Sequence, residues 1–217
     1  MKNLKYAVIL SGSGFLDGSE IRESVLTLLS LDSNGIEYDI FSLDKVQHHT
    51  VDHLSGNENQ VNRNMLVESA RIARGKVLDL AALEASNYDG LVIPGGFGVA
   101  KNLCTFAFDG ADAKVEGTTK KVIKEFHSLS KPITAICIAP ALIALCLKEV
   151  TVTIGTDKQT ASVIEKIGAK HQMASSSEYV LDLKNKIVTT PAYMHEKATL
   201  DEIYQGINGA IKAQMGL

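Results

Sequence analysis

Ile133-Thr-Ala-Ile-Cys137-Ile-Ala-Pro140 sets an apolar strand directly against a cysteine and places a proline three residues on. A proline suits the first helical turn, where its missing N–H is not needed. The pattern predicts a strand over Pro132–Ile136, a sharp turn at Cys137 and a helix over Pro140–Leu147. Such a turn resembles a nucleophile elbow in layout. A thiol there feels the helix dipole, which favours thiolate, and the N–H groups of Ile138 and Ala139 could face a developing oxyanion. A cysteine that merely packs as a small hydrophobe is the alternative, and it is the better reading for Cys104 and Cys146.

The same alternation extends in both directions. Strand patterns are read at Tyr6–Leu10, Tyr38–Ser42, Asp89–Pro94, Thr151–Ile154, Val180–Asp182 and Ile187–Thr190. Helical periodicity is read at Asp17–Ser33, Met65–Arg74, Thr118–Ser130 and Leu200–Met215. Strands alternating with helices imply crossover units, hence an α/β fold with a mostly parallel central sheet and helices on both faces. Lys184-Asn185 between two short runs predicts a small added hairpin. No repeat or linker interrupts the pattern, so residues 1–217 are expected to form a single domain.

In such a sheet, sites form beyond the carboxyl ends of the strands, and three more segments end there. Val92-Ile-Pro-Gly95-Gly96-Phe97-Gly98 offers glycine N–H groups as a nest for an anion, or simply a tight turn. Ser11-Gly-Ser13-Gly14 lacks the Lys-Ser/Thr of a phosphate loop. It leads to Glu20 and Glu23, three apart at a helix start, where they either compensate the dipole or bring a carboxyl group to the thiol. Val188-Thr-Thr-Pro-Ala-Tyr193-Met-His195 ends in a loop whose histidine could act as a base or sit idle in solvent. His48, His49 and His53 have a suggestive spacing, but no Cys or carboxylate pattern completes a metal site, so no metal and no cofactor is expected.

Composition narrows the function classes. Hydrophobic residues make up 45% of the 217, as in ordinary globular chains, and net charge is −3 with no basic or acidic tail. Neither nucleic acid nor membrane is an expected partner. The apolar run Tyr6–Leu10 is too short for a signal peptide, and no stretch approaches a membrane span. Three cysteines without metal spacing are expected as free thiols in a reducing compartment, the cytoplasm.

Taken together, these motifs resemble the ThiJ/PfpI (class I glutamine amidotransferase-like) superfamily. Leu10-Ser-Gly-Ser-Gly-Phe-Leu-Asp17-Gly-Ser-Glu-Ile, Cys137-Ile-Ala-Pro-Ala141, Thr153-Ile-Gly-Thr-Asp157 and Ile187-Val-Thr-Thr-Pro-Ala-Tyr-Met194 are similar to its ElbB-like branch, described as isoprenoid-biosynthesis-associated and glyoxalase-like. The resemblance covers nearly the whole chain. It implies a flavodoxin-like sandwich, a homodimer, a nucleophilic Cys137 and a first-helix carboxylate on the sulfur. Counting back from Gly35 places that carboxylate at Glu23, with Glu20 as its acidic companion. It implies an oxyanion site at Gly95, Gly96 and Ile138, with Ser13, Phe97, Tyr193 and His195 lining the site. The chain departs from the superfamily in having Ile138 after the cysteine and no histidine in Thr153–Thr156, which puts a Cys-His-Glu triad in doubt. Phe106–Gly117 reads as an insertion that could form a lid or a dimer contact.

Three functions compete. A cofactor-independent glyoxalase-type lyase acting on small 2-oxoaldehydes needs no histidine and is preferred. A redox-sensing or interaction module remains open because fold does not fix function. Amidotransferase or hydrolase chemistry is disfavoured by the missing histidine.

Overall fold

A computed structural model describes residues 3–217. The chain runs β1 (Lys5–Ile9), α1 (Ile21–Ser33), β2 (Glu37–Ser42), β3 (Thr50–Val51), β4 (Glu58–Asn59), α2 (Met65–Ile72), β5 (Leu78–Asp79), β6 (Gly90–Ile93) and α3 (Phe106–Asp109). It continues α4 (Gly117–Ser128), β7 (Ile133–Ile136), α5 (Ala139–Cys146), β8 (Thr151–Val152), α6 (Lys158–Ile167), β9 (Lys170–His171), β10 (Val180–Asp182), β11 (Ile187–Thr190) and α7 (Leu200–Met215). Seven strands form one sheet in the order β10-β11-β7-β6-β1-β2-β5. All neighbours pair in parallel except β10, which joins β11 as the expected antiparallel hairpin.

Successive strand residues face opposite sides of a sheet, and this alternation splits the core in two. Ala7, Ile9, Leu91, Ile93, Ile133 and Ala135 pack on one side, against Phe126 of α4, Leu142 of α5 and Ile164 of α6. Tyr6, Val8, Val92 and Ile136 pack on the other, against Leu31 of α1 and Ile203, Ile207 and Ile211 of α7. Central strands buried on both faces read as continuous apolar runs, which is why β1, β6 and β7 were plain in the sequence. The result is the anticipated flavodoxin-like sandwich.

The largest local difference is at the start of α1. Asp17–Ser19 are not helical; Glu20 is the N-cap, and its Oε2 accepts the Glu23 N–H at 2.6 Å. Residues 11–19 instead turn tightly so that Gly18 can back onto the Ser13 backbone. Thr151–Ile154 shortens to β8, which pairs in parallel with β9 in a separate two-stranded sheet. Leu129 at the end of the helical pattern is the C-cap of α4 and is half exposed. Helix α6 was missed because only Ile164 of its ten residues is buried, so its apolar periodicity is thin.

Helix α7 seats against the sheet through Gly206. A Cβ there would collide with the Ser176 carbonyl oxygen and stand 2.7 Å from Thr190 Oγ1. Helix propensity alone favours Ala over Gly by about 1 kcal/mol, whereas forced overpacking costs about 1–3 kcal/mol. Gly206→Ala is therefore expected to lower the urea midpoint; a raised midpoint would show that α7 is not held this closely.

Candidate active site

The site gathers residues from the ends of three strands and one carboxyl group from α1. At the end of β7, Cys137 takes φ 62°, the elbow conformation anticipated from the sequence. A left-handed non-glycine residue is costly unless its surroundings hold it. Here Cys137 N–H donates to the Thr190 carbonyl at 2.9 Å, which fastens the elbow to the end of β11. Among described non-glycine residues with positive φ, only Cys137 and Ala192 are buried, and Ala192 (φ 43°) precedes Tyr193. Both strained positions border the same carboxyl group.

That carboxyl belongs to Glu23, which is fully buried. Its Oε2 accepts the Gly95 N–H at 3.0 Å and its Oε1 accepts the Tyr193 N–H at 3.1 Å. It also shares a hydrogen bond with the Cys137 thiol. Glu20 is not on the sulfur: it caps α1, and its own N–H donates to the Gly95 carbonyl. Gly95 must be glycine, because a Cβ would strike both Cys137 Cβ and Glu23 Oε2. Gly96 (φ 101°) must be glycine because a Cβ would meet the backbone of Gly18 and Glu20.

Electrostatics correct one expectation. Burial, then the neighbouring Glu23 charge, push the Cys137 thiol up, against the N–H groups of Gly96 and Ile138 that favour thiolate. The helix dipole therefore does not leave a free-standing thiolate. Burial, then the Glu20 charge, raise Glu23 to about 8, with the N–H groups of Tyr193 and Gly95 and the Cys137 thiol opposing. Burial also raises Glu20. The pair thus rests protonated at neutral pH, and its first ionisation leaves one negative charge shared between sulfur and carboxyl.

The remaining expectations divide. The Gly96 and Ile138 N–H groups lie near enough to the sulfur to favour its thiolate, whereas the Gly95 N–H is committed to Glu23. Glu20, Phe97 and Tyr193 line a cavity of about 1340 Å³ that opens above Cys137. Ser13 and His195 do not. The Ser13 backbone is covered by Gly18, and the His195 ring packs on Gly155 with Nε2 donating to the Ala174 carbonyl at 3.0 Å.

No cluster of three or more His, Cys, Asp or Glu side chains among the described residues could hold a metal ion. His49 bonds Glu58 and Lys101, His48 stacks on Phe108, and His53 lines the cavity. The His53 Nε2 accepts the Leu16 N–H and its Nδ1 faces the Val51 carbonyl, so both nitrogens are engaged. Sequence reasoning missed Arg22, whose Nη1 donates to Tyr193 Oη at 3.1 Å on the cavity wall. It lay between two residues already singled out. It also missed the α6 start, where Asp157, Gln159 and Thr160 line the cavity. The insertion supplies Phe106, Ala107 and Phe108 to the cavity, so part of it is a wall of the site.

Comparison with known proteins agrees with this layout. The DJ-1/PfpI family profile matches residues 13–193. The human glutamine amidotransferase-like class 1 domain-containing protein 3, mitochondrial, is 46% identical over 98% of this chain and 83% of its own length. An isoprenoid biosynthesis protein with an amidotransferase-like domain from Ehrlichia chaffeensis superposes with TM-score 0.92, at 41% identity over 98% of both chains. Drosophila melanogaster DJ-1beta shares the fold at TM-score 0.54 and 16% identity, over 99% of this chain and 97% of its own. The family match over residues 13–193, together with a relative 46% identical over 98% of the chain, shows that this chain belongs to the DJ-1/PfpI family.

Proposed function

We propose that this protein is a cofactor-independent lyase that converts 2-oxoaldehydes to 2-hydroxy acids. The reading rests on one observation: a cavity-facing thiol hydrogen-bonded to a buried carboxyl group whose pKa is raised to about 8, with no histidine on the sulfur among the described residues. Glyoxalase-type chemistry needs a nucleophile and one group that both gives and takes a proton near neutral pH. Acyl transfer by an amidotransferase or protease calls for a histidine beside the thiol. The names of the relatives point to amidotransferase likeness, and it is this missing histidine that turns the proposal away from that activity.

In the proposed sequence the singly ionised pair reacts as Cys137 thiolate beside protonated Glu23: the sulfur bonds to the aldehyde carbon, the carbonyl π pair moves to oxygen, and that oxygen takes the Glu23 proton to give a hemithioacetal. The N–H groups of Gly96 and Ile138 are the donors nearest that oxygen. The Glu23 carboxylate then removes the hydrogen on the same carbon to give an enediolate. Return of that proton to the neighbouring carbon, and transfer of the remaining hydroxyl proton to the other oxygen through the same carboxyl group, yield a thioester, and water releases the hydroxy acid and the thiol. Every proton is moved by one carboxyl group, so its pKa near neutrality suits both directions. The three free thiols fit a reducing, cytoplasmic setting, and no helix among the described residues is long and apolar enough to cross a membrane. For the homodimer we propose α1 as the interface, where Ile21, Val25 and Leu29 form an exposed stripe at i, i+4 and i+8. Sedimentation should give a dimer mass that Val25→Asp reduces to the monomer; a monomeric wild type removes this interface.

Cys137→Ala should fold, at a cost of about 1 kcal/mol and a Tm lower by about 2–4 °C, while glutathione-free methylglyoxal consumption falls to background. Wild-type turnover in that variant would remove Cys137 as nucleophile. Glu23→Gln is a harsher change, because both carboxyl oxygens accept backbone N–H groups and an amide nitrogen can accept neither. A loss of about 1–3 kcal/mol is expected, together with loss of turnover.

The Glu23 proton also links folding to pH. Its folded pKa is raised, so its contribution is complete below 4.5 and is lost as pH rises through about 8. Tm measured from pH 5 to pH 8 should decline in wild type and decline less in Glu23→Gln. Equal slopes would mean that Glu23 is ionised in the resting protein.

A further inference from the structure

We infer that the cavity above Cys137 is built for a 2-oxoaldehyde carrying an aromatic or bulky apolar substituent, and that it disfavours anionic ones. This deepens the lyase reading and rests on it for the reactive end of the substrate. The first observation is size. Pockets of roughly 300–1,000 Å³ hold drug-sized ligands, and this one is about 1340 Å³. Methylglyoxal would occupy a small corner of it and leave the walls in water.

The second observation is the rim. Phe15, Phe97 and Phe108 all line the cavity, and each is nearly half exposed. Each is nonetheless held by a partner. Phe15 meets the His53 ring edge-on at 5.4 Å, Phe108 packs on the His48 ring at 4.4 Å, and Lys101 Nζ lies 5.0 Å from the Phe97 ring centre. The rings come from two loops and from α3, and all three line the same cavity. Rings already held in place lose little freedom when they take up an apolar group, and a concave cluster of exposed aromatic surface beside a nucleophile marks a ligand subsite.

The third observation is charge. Asp157 and Glu196 line the mouth with one fixed cation, Arg22, which is engaged by Tyr193 Oη. Cap hydrogen bonds from Thr160 Oγ1 and Gln159 N–H hold Asp157 low and ionised. A phosphate or carboxylate on the substrate would meet net negative charge there.

The test separates this subsite from the lyase reading. Wild type is treated with phenacyl bromide and with bromoacetone, in which the Cys137 sulfur displaces bromide from reagents that differ only in a phenyl or methyl group. Mass spectrometry gives the alkylation rate at Cys137, and each rate is divided by that of a free thiol. A corrected preference of about tenfold or more for the phenacyl reagent is expected, and Phe97→Ala and Phe108→Ala should lower the phenacyl rate several-fold more than the acetonyl rate. In parallel, kcat/KM for phenylglyoxal should exceed that for methylglyoxal. If the corrected alkylation rates are equal, or both variants slow both reagents alike, the subsite is wrong whatever the turnover. If the phenacyl preference holds and neither aldehyde is consumed, the subsite stands and the lyase reading fails.

Discussion

One buried carboxyl group holds this site together. Glu23 leaves α1 and reaches across the ends of three strands, accepting from Gly95 after β6 and from Tyr193 after β11, and sharing a hydrogen bond with Cys137 after β7. A charged carboxylate in that position would be costly, and burial accordingly raises its pKa to about 8. The strain at Cys137 and Ala192 is borne by the same knot of contacts. Residues without local reason to adopt positive φ do so because each of their neighbours is already committed.

The knot also explains the tightness of the two loops around it. The loop before α1 and the loop after β6 are stitched backbone to backbone: Gly98 N–H to Gly18 O, Phe97 N–H to Phe15 O, and Glu20 N–H to Gly95 O. Side chains would hold these strands of backbone apart, which is the use of the glycines at 18, 95, 96 and 98. The same stitching places Phe15 and Phe97 side by side at the cavity mouth. Rigidity at the sulfur and an apolar rim are thus two consequences of one loop pairing.

Chemistry follows from what the thiol lacks as much as from what it has. Desolvation keeps it protonated, so it gains nucleophilicity only by sharing a proton with Glu23 or when the pair ionises. A family built on this elbow can support different reactions by changing which base stands beside the sulfur. In this chain the group beside the sulfur is a carboxylic acid whose pKa burial raises to about 8. Such a group suits the repeated gain and loss of one proton better than the activation of a leaving amine.

The sequence by itself determined the strands and the elbow. Double burial made β1, β6 and β7 uninterrupted apolar runs, and Cys137 followed by Pro140 marked the turn because strand-to-helix geometry is local. Glu23 was placed by counting helix turns back from Gly35 under a family resemblance, and the fold sets that carboxyl beside Cys137. Tertiary structure decided what periodicity cannot carry. The side on which His195 lies depends on the Gly155 and Ala174 backbones packed against it, and the fate of the Gly95 N–H depends on a carboxyl group 72 residues away. Whether Cys137 is thiol or thiolate depends on desolvation by the whole fold. Local sequence cannot encode such distances or dielectric surroundings, which exist only once the strand ends have converged.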